Sequence, residues 1–428
     1  MTALRAPGYE EEAIRDRARR GRAAVFPPPE TYGRDLVGET PVPRSAARAD
    51  DPLDALRIVP PVFVPRRLEK LCELGQEPLP SDVLLETTVG GFRSPLPLYV
   101  SAFGSTQVAS STLGEDLGRQ AGRLGIPLVV GENVVPVNGY GRVEGADRRT
   151  GSLLARVLGY LEACGSSSRG GIVIQQSTQD ADAEVWNQVY SDPNVAPLLE
   201  SGRLAFELKV GQGAKPGLGG LTLVDRSAAE SLHDRYQIEE SYGTDAPTVL
   251  RCGTPGTFTA EILTQQIRLM RNNYPRCKVW VKLPPGRDVA EAVAVARAAG
   301  ADAVGVDGAE GGSGWAPRAF LAHVGLPLGE TLLRIGRHGR GGGSLLASGR
   351  IWEGARALKC LALGADAVGL GRAALLAVDE DPEDGLARLV DALRLELQLL
   401  VSALGKYTVA DVREEDLWLP ETAAKESR

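Results

Sequence analysis

Residues 278–308 read KVWVKLPPGRDVAEAVAVARAAGADAVGVDG, and this stretch decides the fold. KVWVKLP is a short run of β-branched and apolar residues that ends on a charged side chain, the pattern of a buried strand. DVAEAVAVARAAG follows with apolar residues at helical spacing, and Gly300 stands directly before the next run, where a left-handed helix cap is expected. ADAVGVDG then repeats the strand pattern. The same rhythm recurs outward in both directions. Upstream lie LPLYVSA (96–102), IPLVVGE (126–132), GIVIQQS (171–177) and LAFELKV (204–210); downstream lie SLLASGR (344–350) and ADAVGLGR (365–372). Helical patterns fall between most of them, at 114–125, 259–273 and 351–364, the last closing on Gly364 before a strand. Eight strands with interleaved helices predict an α/β fold, a (β/α)8 TIM barrel. The rival, an open doubly wound sheet, lacks its G-x-G-x-x-G after the first strand.

Around this barrel, residues 1–80 read as a Pro- and Arg-rich arm (FPPPE, TPVPRS, VPPVFVPRR) with one short helix near 10–24, draped over a later domain or another subunit. The barrel occupies 81–384, with the long irregular stretch 210–258 as a lid or insertion at its mouth. GLARLVDALRLELQLLVSALG (385–405) predicts a closing amphipathic helix, and the remainder to 428 is a tail. The net charge of −7 and the lack of a basic stripe exclude a nucleic-acid binder; Arg15, Arg17, Arg19, Arg20 and Arg22 read as a solvated helix face. No apolar run reaches about 18 residues and no signal peptide is visible, so a cytoplasmic protein without membrane contact is expected. The five cysteines are scattered and the three histidines lie far apart, so no metal site is expected. The arm suggests a homo-oligomer.

In such a barrel the strand C-termini form the reactive face. They carry Ser101, Glu132 with Asn133, Gln175 with Gln176, Glu207 with Lys209, Lys282, Asp307, Ser348 to Arg350, and Gly369 to Arg372. The glycine-rich turns after strands six, seven and eight can hold a phosphate on backbone N–H groups, with Arg350 and Arg372 adding charge-assisted bonds. Lys282 is costly at the end of a buried strand unless it faces a ligand or an anionic partner. In ELKVGQGAKPGLGG (207–220), the glycines admit close backbone approach, and Lys215 is the one cation the loop offers. Lys215, Lys209, Glu207 and Gln212 form the expected substrate-binding set, and Glu132 and Glu310 the acid/base candidates beside Lys282.

ELKVGQGAKPGLGG resembles the signature stretch of the FMN-binding synthase domain of glutamate synthase. VWVKLP, DGAEGGSG, SGR and GLGRA resemble that family's fifth to eighth strand ends, and the likeness runs over residues 81–415. The resemblance implies FMN as cofactor. It implies that Lys282 sits near N1 and the C2 carbonyl of the flavin, that Gln176 bonds the pyrimidine edge, and that Ser101, Ala102 and Phe103 line the ring. Gly311, Gly312, Ser313, Gly349, Arg350, Gly371 and Arg372 would hold ribityl and phosphate, and Lys215 the carboxylate of a substrate. The chain also departs from the family. Met1 opens an arm in place of an amidotransferase domain with its N-terminal Cys. RAALLAVDEDPEDG after Gly371 holds no cysteine for an iron–sulfur cluster. Leu221, Leu218 and Ala309 replace polar residues of the family's site. The expectation is therefore a stand-alone FMN-dependent oxidoreductase acting on an amino acid or related small, anionic carboxylate, in specialised metabolism and with an external electron donor or acceptor. An FMN enzyme without net redox change, of isomerase or lyase type, and a non-catalytic flavoprotein partner stay open as alternatives.

Overall fold

Eight parallel strands close into a barrel in the computed structural model: β1 (Leu98–Phe103), β2 (Leu128–Val130), β3 (Ile172–Gln176), β4 (Leu204–Lys209), β5 (Lys278–Leu283), β6 (Ala303–Asp307), β7 (Ser344–Ser348) and β8 (Ala367–Leu370). Each strand pairs with its sequence neighbours, and β8 pairs with β1 to close the ring. The structure describes residues 4–31, 51–62, 78–104, 112–141, 151–177, 180–181, 183–215, 221–234, 236–252, 258–311, 316–337 and 341–418.

The period of two along each strand splits the apolar residues into two cores. Leu98, Val100, Ile172, Ile174, Phe206, Val279, Val281, Val304 and Val306 belong to the outer core between strands and helices. Tyr99, Val129, Val173, Ala205, Trp280, Ala303, Leu346 and Ala367 fill the barrel interior. Trp280 is fully buried there, with its ring centroid 5.7 Å from Phe92 and 6.3 Å from Tyr99. A hairpin formed by Thr87–Val89 and Phe92–Ser94 plugs this end of the barrel. Its turn needs a glycine: Gly90 has φ +56°, its carbonyl accepts Trp280 Nε1–H at 2.9 Å, and an added Cβ would lie 2.1 Å from the indole.

The main helices are α1 (Glu11–Arg20), α2 (Leu113–Leu124), α3 (Leu153–Cys164), α4 (Ala260–Asn273), α5 (Val289–Ala298), α6 (Leu328–Gly336), α7 (Gly354–Ala362), α8 (Arg372–Glu380) and α9 (Gly385–Ala403). Gly300 and Gly364 have φ of +98° and +103°, so both helix exits take the left-handed conformation their sequence implied. Inside the expected insertion, Leu221–Asp225, Gln237–Glu239 and Thr248–Cys252 form a small antiparallel sheet. No helix among the described residues is long and apolar enough to cross a membrane.

Helix α1 packs on α8 and α9. Here the reading of its arginines as a solvated face is corrected. The buried Arg15 guanidinium donates to Asp379 at 2.8 Å, to Glu380 at 3.0 Å and to the Leu4 carbonyl. Arg17 pairs with Glu396 at 2.7 Å and stacks over Trp352. Spacing alone did not reveal these partners, because the carboxylates that claim Arg15 and Arg17 lie more than 350 residues away.

Candidate active site

Following the inward-facing residues up the barrel leads from the apolar floor to a polar ring. Above Trp280 stands Lys282, and next to it on β6 stands Asp307; both are buried and form an ion pair. Ser348 of β7 donates its hydroxyl to Asp307 and accepts from Lys282 Nζ at 3.2 Å. On the other side, Gln175 of β3 donates to Glu207 of β4 at 2.6 Å. Burial by itself would lower the Lys282 ammonium, but Asp307, Tyr99 and Glu207 more than offset it and hold the group above its ordinary value. Burial also pushes Glu207 above the usual carboxylate range, with Lys282 and Gln175 opposing. The cation expected at this strand end is thus locked in place and charge-balanced.

One turn higher, Lys209 pairs with Glu132. Lys215 is buried in the following loop and makes no ion pair among the described residues. Burial and the neighbouring Lys209 bring its ammonium down to about 8, against the attraction of Glu132. The Gly213 N–H donates to Asp307 Oδ2 at 3.3 Å, which ties this loop to the Lys282 network. Gln212 is partly exposed in the same loop.

Ser101, at the end of β1, has a buried Oγ with no hydrogen-bond partner among the described residues. Ala102 packs against the inner core, whereas Phe103 joins the outer one, a consequence of a register shift between Val100 and Phe103. Gln175 occupies the barrel interior, while Gln176 accepts the Trp186 N–H at 3.4 Å on the helix side. Alternation along GIVIQQS was the available signal for that difference. Asn133, left-handed at φ +61°, donates its N–H to the buried Asp180 at 2.8 Å.

The turns after β6, β7 and β8 converge. Arg350 is also left-handed, at φ +53°, and Arg372 begins α8 and donates to the Glu310 carbonyl at 3.0 Å. A Cβ on Gly311 would crowd the Gly349 Cα at 3.1 Å, whereas one on Gly371 would meet open space. The carboxylate of Glu310, expected as an acid/base group, is buried in an ion network instead. It accepts from Arg356 at 2.7 Å and from the Leu328 N–H at 3.3 Å. Burial and the adjacent Asp51 carry its pKa up to about 7, against the pull of Arg356. Arg356, which no local motif marks, is the hub: it also binds Asp51, Asp54 at 3.0 Å and the Gly349 carbonyl at 3.0 Å. Asp54 further pairs with Arg350 at 3.2 Å. Gly312 and Ser313 lie outside the described residues.

Fold and site together define a (β/α)8 barrel with a buried lysine at the end of its fifth strand and arginine-bearing glycine turns after its seventh and eighth. Residues 148–380 match the family model described as the conserved region in glutamate synthase, and the chain belongs to that family. It is 38% identical over 181 residues to the archaeal glutamate synthase [NADPH] of Methanocaldococcus jannaschii, covering 41% of this chain and 34% of that protein. Against the archaeal-type glutamate synthase [NADPH] of Dehalococcoides mccartyi it is 30% identical over 256 residues, covering 52% and 50%. The chain therefore spans between a third and a half of the length of these relatives. Among solved structures, an active mutant of (S)-mandelate dehydrogenase superposes with a TM-score of 0.54 at 17% identity, over 96% of this chain and 99% of that one, a likeness of fold.

Proposed function

We propose that this chain is an FMN-dependent oxidoreductase that acts on an amino acid or a related small carboxylate. The observation that carries the reading is the buried Lys282, held cationic by Asp307 and Glu207 at a strand C-terminus of a glutamate synthase-family barrel. The residues present fit the cofactor. The unpartnered Ser101 Oγ leaves a buried donor for a ligand, and Gly369 keeps β8 bare, since its Cβ would fall 2.2 Å from that oxygen. Lys282 would face the pyrimidine side of the flavin and Ser101 and Ala102 its ring; Gln176, bonded to the Trp186 N–H on the helix side, and Phe103, packed in the outer core, are withdrawn from the flavin contacts the resemblance implied. Gly311, Gly349, Arg350, Gly371 and Arg372 would hold the phosphate end, together with Gly312 and Ser313. FMN, when bound, supplies the acceptor and donor of a hydride.

The protein's own part is binding and charge. Lys282 stabilises negative charge at the end of the barrel interior. Lys215 offers an uncompensated cation to the substrate carboxylate, with Gln212 and Glu207 beside it. The Glu132–Lys209 pair is the proposed proton carrier at the mouth, because both groups lie within the electrostatic reach of Lys215. Electrons pass to or from an external partner.

The test is an anaerobic titration of the purified protein with FMN, followed by a panel of amino and oxo acids. Uptake of FMN with a perturbed visible spectrum, weakened in Lys282→Met, and bleaching or recolouring by one member of the panel are expected. A protein that takes up no FMN would overturn the reading.

A further inference from the structure

The N-terminal segment reaches the proposed phosphate end from outside the barrel. Helix α1 lies on α8, the helix that starts at Arg372, and the Leu4 N–H and Arg15 both bind Asp379 near its far end. Just before α1, the Tyr9 N–H donates to the Ala6 carbonyl at 3.0 Å and the Tyr9 carbonyl accepts from Glu11 at 2.7 Å, so the turn is fixed. The Arg372 guanidinium carbon sits 5.3 Å from the Tyr9 ring centroid. The charges of Arg356, Arg350 and Glu310 also reach this phenol. Its hydroxyl makes no hydrogen bond with any described residue. Although the residue is partly exposed, burial pushes its pKa up to about 12, against Arg372, Arg356 and Arg350, so the O–H stays a donor. A neutral donor among three arginines, with no acceptor of its own, suits an oxyanion.

We propose that Tyr9 is a phosphate-binding residue of this site, donated by the N-terminal segment to the cluster of Arg350 and Arg372. The arm is then part of the cofactor site as well as a cover for α8 and α9. This rests on the FMN reading above.

Comparison of FMN with riboflavin isolates the phosphate. The full-length protein, stripped of flavin, is titrated with each by flavin fluorescence, as wild type, Tyr9→Phe and Arg350→Ala, with thermal melts to show that each variant is folded. Tyr9→Phe removes only the hydroxyl. It is expected to weaken FMN about tenfold, the worth of a hydrogen bond to a charged group, and to leave riboflavin unchanged. Unchanged FMN affinity, or equal losses for both flavins, would overturn the role of Tyr9. The FMN reading would survive that result if wild type prefers FMN and Arg350→Ala loses the preference. A wild-type protein that binds FMN no more tightly than riboflavin would overturn the phosphate site, and Tyr9's role with it.

Discussion

Removing the charges of Lys282 and Asp307 singly and together measures how far the site depends on their pairing. Two unit charges 4 Å apart at an effective dielectric of 20 attract by about 4 kcal/mol. Breaking a buried pair by deleting one partner costs roughly 3–5 kcal/mol. Among the described residues, Lys282→Met leaves Asp307 with the Ser348 hydroxyl and the Gly213 N–H at 3.3 Å, and leaves Glu207 with Gln175, so its cost lies near 4 kcal/mol, the upper part of that range. Asp307→Asn keeps the shape and leaves Glu207 to face the ammonium, so about 3 kcal/mol is expected. The double variant removes both charges at once and should cost about 3–4 kcal/mol, far short of the sum near 7, a coupling of roughly 3 kcal/mol. Urea unfolding of the flavin-free protein at pH 7 gives each value from midpoint and slope. The sign with pH follows from the raised value of Lys282. Its contribution is complete below the unfolded lysine pKa of about 10.4 and is lost as pH rises through the higher folded value. The wild type should therefore show no loss from this group between pH 7 and 9. Single-variant costs that add to within about 0.5 kcal/mol would refute the claim that the two side chains act as one buried unit.

Lys215→Gln should abolish inhibition of the FMN-loaded protein by small carboxylates such as succinate. In the wild type that inhibition should weaken as pH rises through about 8, where the ammonium of the free site deprotonates, and a flat profile from pH 6 to 9 would count against an anion at Lys215. Gly90→Ala should destabilise the fold by about 2–4 kcal/mol, since it adds a left-handed penalty to a Cβ placed inside the Trp280 indole; a loss under about 0.5 kcal/mol in urea unfolding would show that the floor of the barrel gives way easily.

What could be read in the sequence followed local periodicity. All eight strand runs fall within two residues of their observed starts, because each is a short apolar run that ends on polar or small residues and, twice, is preceded by a left-handed glycine that ends the helix before it. The strand-end positions of Lys282, Asp307, Ser348 and Glu207 were legible for the same reason. What was not legible depends on distant segments. Arg15 looks solvated until α8 supplies Asp379 and Glu380. Glu310 looks available for proton transfer until α7 supplies Arg356 and the arm supplies Asp51. Gln175 and Gln176 are the same residue type side by side, and only the phase of β3 decides which enters the barrel.

The distribution of charge in the site then separates two tasks. At the level of Lys282, Asp307 and Glu207, cation and anion are matched within the barrel, and a ligand arriving there meets a fixed dipole field that needs no rearrangement. At the proposed phosphate end, Arg350 and Arg356 are held by Asp51, Asp54 and Glu310. The half-exposed Asp54 is the member an arriving anion can displace, since water can take up the released carboxylate while Arg350 and Arg356 stay largely buried. Of the three lysines at the site, Lys215 is the one that is buried and makes no ion pair among the described residues, and burial has already lowered its affinity for a proton. On the function proposed above, a buried cation in that state is stabilised most by a carboxylate of the substrate itself, so the proposed site would be electrostatically complete only with both its ligands present.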